Sequence, residues 1–208
     1  MSSLIKESVM SKILILNTGL NGENSNSNKF TEMYQTIRQL SSINDEVTVR
    51  DLNKQALSHL TSEEMQAWMT PVEERDELQN ELAKLSDDLI AELMAHDIID
   101  IGMPMYNMGI PSTFKAYIDR IARAGKTFQY TATGPKGLVE NKQVVVLAAR
   151  GGMYQGTPLD TQTDYLKSIF GLMGITQVDF IYAEGLNMGE EVAEKAWIKA
   201  NEQLMASA

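Results

Sequence analysis

Three short runs have residue types suited to chemistry: Ser25-Asn26-Ser27, Met105-Tyr106-Asn107-Met108 and Ala149-Arg150-Gly151-Gly152. None carries a general base or a set of metal ligands. What they offer is peptide N–H and C=O groups, hydroxyls, amides and polarizable thioethers, which suit a flat heterocycle with polar edges and a phosphate tail. Ser25, Asn26 and Ser27 precede an amphipathic run, where a helix N-terminus leaves unpaired N–H groups for an anion, although such residues also serve as plain caps. Thr18 and Gly19 open the same loop. Met105 to Met108 follow an apolar run and serve either as ring contacts or as core filler. Gly151 and Gly152 are expected to permit positive φ and a close backbone approach, a property that turns also use.

Other chemistries are poorly supplied. His59 and His96 lie on different segments with no carboxylate or cysteine at ligand spacing, so a metal site is not expected. The pairs Glu63-Glu64, Glu73-Glu74 and Asp87-Asp88 read as solvated helix faces, because adjacent helical residues point apart. There is neither a Walker A pattern nor a G-x-G-x-x-G, which disfavours a nucleoside triphosphate or a fixed dinucleotide. No side chain is assigned as catalytic.

The runs need a frame, and the hydrophobic pattern supplies one. Residues 12–17 (KILILN), 98–101, 144–147 and 178–182 read as strands, with 47–49 alternating like a half-exposed edge strand. Between them lie helix stripes: Phe30, Met33, Tyr34, Ile37 and Leu40; Leu78, Leu82, Leu85, Leu89 and Leu93; Phe114, Tyr117, Ile118 and Ile121; Leu166, Ile169, Phe170 and Met173. Thr70-Pro71-Val72-Glu73 has the capping-box pattern, and a Gly-Pro signal within 127–137 predicts a hairpin-like insertion. Five strands alternating with helices predict an α/β, flavodoxin-like three-layer sandwich. Its parallel sheet is expected in the order 2-1-3-4-5, with a ligand crevice where strands 1 and 3 diverge.

The chain has 208 residues, no cysteine and a formal net charge of −10, which predicts one domain over 10–208 and a loose extension over 1–9. The charge disfavours nucleic acid and anionic membranes as partners, no run is long enough to span a bilayer, and the first residues lack a secretory h-region. The absence of cysteine fits a cytoplasmic protein, in which any redox chemistry would need a borrowed cofactor.

The segments MSKILIL, TVRDL, IAELMAHDIIDIGMPMYN, IDRIARAGKTFQY, RGG and YAEG closely resemble the FMN-dependent NADH azoreductases, also described as FMN-dependent NADH:quinone oxidoreductases. The resemblance covers nearly the whole chain from Met10. It implies FMN held by Gly19, Ser25, Asn26, Ser27, Met105, Tyr106, Asn107, Met108, Ala149, Arg150, Gly151 and Gly152, with Thr18 beside them. It also implies a homodimer taking hydride from NADH and reducing quinones or aromatic azo compounds in a ping-pong cycle. Phe128 and Tyr130 then wall the neighbour's substrate cavity, or else merely pack the hairpin. Gly19 and Ala149 stand where family members carry serine, and Met108 where they carry an aromatic. Thr18 is the expected substitute for the first missing hydroxyl. Arg120, Arg123 and Lys126 are expected as positive charge near the mouth. The alternative is a flavodoxin-type electron carrier that binds FMN without turning over NADH.

Overall fold

The computed structural model describes residues 10–41, 44–55 and 57–207, so the expected extension over 1–9 lies outside the described residues. Strands β1 (Lys12–Asn17), β2 (Glu46–Asp51), β3 (Ile98–Pro104), β6 (Gln143–Arg150) and β7 (Gln177–Glu184) form one parallel sheet in the order β2-β1-β3-β6-β7. Counted within that sheet the order is 2-1-3-4-5, as expected. Helices α1 (Asn26–Ser41), α2 (Ser62–Met69), α3 (Glu77–Ala95), α4 (Ser112–Ile121), α5 (Thr163–Met173) and α6 (Glu190–Ser207) complete the main layers. A separate antiparallel hairpin, β4 (Phe128–Thr131) with β5 (Gly134–Gly137), follows α4.

Alternation along the central strands divides the core between the two faces. Val144, Val146 and Ala148 of β6 join Leu89, Leu93, Phe114, Tyr117, Leu166 and Phe170 from α3, α4 and α5, while Val145, Leu147 and Ala149 join Phe30, Tyr34, Ala200 and Leu204 from α1 and α6. The strands are apolar on both faces because helices cover both. β2 is an edge with Val49 exposed.

Periodicity misplaced the faces of two helices. Leu40 of α1 is exposed, and in α3 the buried line is Ala83, Ser86, Leu89, Ile90 and Leu93, with Leu78 63% exposed and Leu85 also outside. The predicted capping box at Thr70 is corrected too. Thr70 Oγ1 donates to Gln66 O at 3.0 Å, ending α2. The boxes are instead Thr61 with Glu64 for α2 and Asp76 with Gln79 for α3.

A carboxyl is buried in the middle of β3. Asp100 of β3 meets Arg38 of α1, whose Nη2 donates to Oδ1 at 3.3 Å; Arg38 Nε lies 3.2 Å from Oδ2 but out of line for a hydrogen bond. Burial raises the Asp100 carboxyl from 3.8 to about 6, with the Arg38 charge opposing. A value raised in the folded state means that the residue's stabilising contribution is complete below the unfolded value and is lost as pH rises through the folded one. Relative to Asp100→Asn, the parent should therefore gain about 1 kcal/mol of unfolding free energy between pH 8 and pH 5. Denaturant titrations at fixed protein and ligand concentration read this; a pH-independent difference would place the titration elsewhere.

Candidate cofactor site

All three runs lie at the carboxyl ends of neighbouring strands: β1, β3 and β6. Close packing brings the first to the sheet. A Cβ on Gly102 of β3 would lie 2.7 Å from Ser27 O, so only glycine lets the first turn of α1 rest on that strand. Thr18 Oγ1, fully buried, donates to Gly102 O at 2.6 Å. The Thr18 hydroxyl thus staples β1 to β3, with its proton directed to that carbonyl.

Gly19 has its own explanation. A Cβ there would lie 1.9 Å from Ser25 Oγ and 2.7 Å from Ser27 Oγ, and these two hydroxyls are 2.9 Å apart. Two serine hydroxyls from the helix start thus fill the space beside residue 19. One donates to the other, leaving a single hydroxyl proton between them for an outside acceptor. Asn28 fixes the loop by accepting from Gly19 N at 3.3 Å and donating to Gly22 O at 3.1 Å. The N–H groups of Asn26, Ser27 and Asn28 belong to the first turn of α1 and have no carbonyl four residues back in the helix. With the helix dipole they favour an anion without help from lysine.

The second run is a tight turn. Tyr106 N donates to Gly109 O at 3.0 Å and Gly109 N to Tyr106 O at 2.9 Å. Asn107 and Met108 between them have φ of 49° and 62°. Two successive left-handed residues define a type I′ turn, and neither is glycine, so the surroundings must hold the conformation. Tyr106 Oη accepts from Leu20 N at 3.1 Å, joining the second loop to the first. Outside the turn a cavity of ≈ 450 Å³ is lined by His59, Met108, Ile110, Lys115 and Tyr165 among others.

The third run departs from expectation in two ways. Neither Gly151 nor Gly152 has positive φ. Glycine is required by crowding instead, since a Cβ would lie 2.6 Å from Asn187 Nδ2 at Gly151 and 2.7 Å from Tyr154 Oη at Gly152. The Arg150 side chain, fully buried, turns inward: Nη1 donates to Glu184 at 3.1 Å, Nη2 to Asp160 at 2.9 Å and Nε to Gln162 at 3.1 Å. With its guanidinium so engaged, Arg150 can offer a ligand only its backbone. Asp160, whose carboxyl is desolvated by burial but carried below the usual range by hydrogen bonds from Arg150 and Thr163, also caps α5 through Thr163 N at 3.1 Å.

Several remaining sequence expectations need correction. Arg120 is wholly buried and forks onto Glu64, and Arg123 is buried with Nη1 on Asp87 at 2.7 Å and its guanidinium over Trp68. Neither supplies charge at a mouth, which leaves Lys126 as the exposed cation of the three. Glu64 is correspondingly a buried partner, not a solvated face, because α2 packs against α3 and the Arg120 side chain reaches it from α4. Phe128 is only 7% exposed and packs edge-on against Tyr130, which is 77% exposed. Of that pair, only Tyr130 presents a ring to the outside. Gln162, Asp160 and Glu184, which organise the loops, are not singled out by the sequence pattern; of these only Asp160, three residues before Thr163 at the helix start, carries a local signal. Among the described residues no cluster of His, Cys, Asp and Glu could hold a metal ion.

A parallel doubly wound sheet with its polar loops gathered where β1 and β3 diverge defines a flavodoxin-like protein, and residues 11–207 match the family described as having a flavodoxin-like fold. The FMN-dependent NADH:quinone oxidoreductase of Pseudoalteromonas atlantica is 54% identical over 196 residues, covering 94% of this chain and 96% of that protein. The enzyme of the same name from Alteromonas mediterranea is 52% identical over 200 residues, covering 94% and 98%. Among solved structures, an azoreductase from Bacillus anthracis superposes with TM-score 0.87 at 28% identity, covering 95% of this chain and 98% of that one. An FMN-dependent NADH-azoreductase of the same species, solved in complex with FMN, gives TM-score 0.83 at 25% identity over 96% and 100%. The chain belongs to the FMN-dependent NADH:quinone oxidoreductase family.

Proposed function

We propose that this protein is an FMN-dependent oxidoreductase that uses NADH to reduce quinones and aromatic azo compounds. The observation that carries the reading is the union of the anion-seeking start of α1 with the turn after β3, joined by Leu20 N and Tyr106 Oη at 3.1 Å. FMN, when bound, would supply the hydride and two-electron chemistry that links NADH to the acceptor.

The residues present fit that cofactor. Ser25, Asn26 and Ser27 would hold the phosphate with helix N–H groups and the free hydroxyl proton. The backbone of Met105 to Met108 would offer peptide groups to the ring's polar edge, and the backbone of Gly19 and of Ala149 to Gly152 would line the same crevice. Tyr106 holds the phosphate loop and the ring loop in register. With no side-chain acid or base assigned, the protein's part is position, hydrogen bonding and exclusion of water. Donor and acceptor are flat and need the same face, which supports a ping-pong order.

A homodimer fits the exposed apolar side chains Met65, Met69, Val72 and Leu78 on consecutive segments, together with Tyr130 as a wall for the neighbour's cavity. Among the described residues no helix is long and apolar enough to cross a membrane; a cytoplasmic location completes the proposal.

The deciding experiment is the visible spectrum of the purified protein, followed by FMN release on denaturation and steady-state NADH oxidation with a soluble quinone. A flavin spectrum with turnover and parallel initial-rate lines is expected. Flavin without NADH turnover would make the protein an electron carrier, and no flavin would end the proposal. Gly152→Val tests the third loop. Its side chain displaces Tyr154 and intrudes beside the cofactor, so the flavin-to-protein ratio after gel filtration should fall at least tenfold with far-ultraviolet circular dichroism unchanged. Stoichiometric retention would remove this loop from the site.

A further inference from the structure

Gln162 stands at the start of α5, yet its side chain does not cap the helix. It is fully buried and points across the sheet ends. Its Oε1 accepts from Arg150 Nε at 3.1 Å, and its Nε2 donates to Pro104 O at 2.8 Å and to Gly109 O at 3.1 Å. Both amide N–H donors are therefore used, one on the last carbonyl of β3 and one on the turn that follows it, while the acceptor is tied to the third loop. Pro104 ends β3, and Gly109 closes the turn that holds Asn107 and Met108 in left-handed backbone. Arg150 in turn is locked by Asp160 and Glu184. Thr161, the preceding residue, donates its hydroxyl to Met108 O. Among the described residues no other side chain donates to Gly109 O.

The geometry points to Gln162 as a positioning residue that tunes the bound cofactor, by fixing the Tyr106–Gly109 turn at a set distance from the Arg150–Gly152 loop. This rests on the reading that FMN sits between those loops. A left-handed pair of non-glycine residues relaxes unless it is held. Without the Gln162 amide, Pro104 O loses a partner and Gly109 O keeps only Tyr106 N. The turn's peptide groups then drift from the polar edge of the ring. Since that edge becomes more electron-rich on reduction, losing aligned N–H donors weakens the hold on reduced cofactor more than on oxidised cofactor. A residue that only filled space would affect both forms alike.

The test compares the parent with Gln162→Leu and Gln162→Met, which remove the amide but keep much of its volume. Three quantities are read: the dissociation constant of oxidised FMN, the two-electron midpoint potential of the bound flavin by equilibration with a reference dye, and the unfolding temperature of each holoprotein. The expected result is FMN bound at least several-fold more weakly, with reduced FMN weakened a further tenfold. That extra tenfold lowers the midpoint potential by about 30 mV. Thr161→Val, which frees Met108 O on the same turn, should shift the potential in the same direction. Variants that fold and bind FMN with an unchanged potential overturn the inference while leaving the FMN reading intact. Parent protein that binds no FMN overturns the reading itself. Loss of the folded spectrum in both Gln162 variants overturns the inference as well, since the residue would then be a requirement of the core.

Discussion

Glu64→Ala should lower the unfolding free energy by about 3–5 kcal/mol, the cost of leaving a buried charge without its partner. Glu64 Oε1 accepts from Arg120 Nε at 3.0 Å and Nη2 at 2.8 Å, and Oε2 accepts from the same Nη2 at 3.0 Å. The same carboxylate closes the capping box of α2 through Thr61 N at 3.1 Å. Arg120, fully buried in α4, has among the described residues otherwise only Ser58 and the Ala116 carbonyl for its guanidinium. The pair ties α2 to the helix that leads out of the Tyr106–Gly109 turn, so its loss reaches the site through α4. Denaturant unfolding at fixed protein and FMN concentration gives the number. The double replacement Glu64→Met with Arg120→Met should cost less than Glu64→Ala alone, because it buries no unpaired charge. A loss under about 1 kcal/mol for Glu64→Ala would mean that water reaches Arg120 and that the pair behaves as a surface one.

Ser25→Asp should weaken FMN binding by about two orders of magnitude while leaving the fold intact. Aspartate is as good an N-cap as serine and suits the positive end of the dipole, so α1 is not threatened. The new carboxylate, however, occupies the place proposed for the phosphate and repels a dianion. At a few ångströms and an effective dielectric constant near 20 such repulsion is worth about 3 kcal/mol or more, roughly a hundredfold in affinity. Riboflavin, which lacks the phosphate, separates the causes: its affinity should change little between parent and variant. Equal losses of FMN and riboflavin would point to a distorted loop, and undiminished FMN binding would move the phosphate away from α1. Raised salt should partly restore FMN to the variant, because screening weakens the repulsion.

The strands, their order and the three loops were legible in the sequence because each rests on local pattern. A run such as KILILN is buried on both faces wherever it sits, and βα alternation admits few sheet arrangements. The resemblance to the oxidoreductases was equally legible, being carried by contiguous motifs. The limits appear where partners are distant in sequence. Glu64 reads as half of a surface acidic pair until α2 is laid against Arg120, 56 residues on. The leucines of α3 form a regular stripe, yet Leu78 and Leu85 lie outside while Ala83 and Ser86 lie inside, because tertiary packing selects the face.

At the site the division is the same. Which peptide segments gather at the sheet's carboxyl edge follows from the order of strands and loops, which the amino-acid sequence determines by itself. What each side chain does there was decided by the tertiary structure. Thr18 turns its hydroxyl to Gly102 O, Arg150 turns its guanidinium into the core, and Gly151 and Gly152 are required by Asn187 and Tyr154 and not by their φ angles. The physical reason is that hydrogen bonds and steric contacts act over a few ångströms, and the atoms that compete for each of these groups are brought within that range only when separate β–α units close on one another.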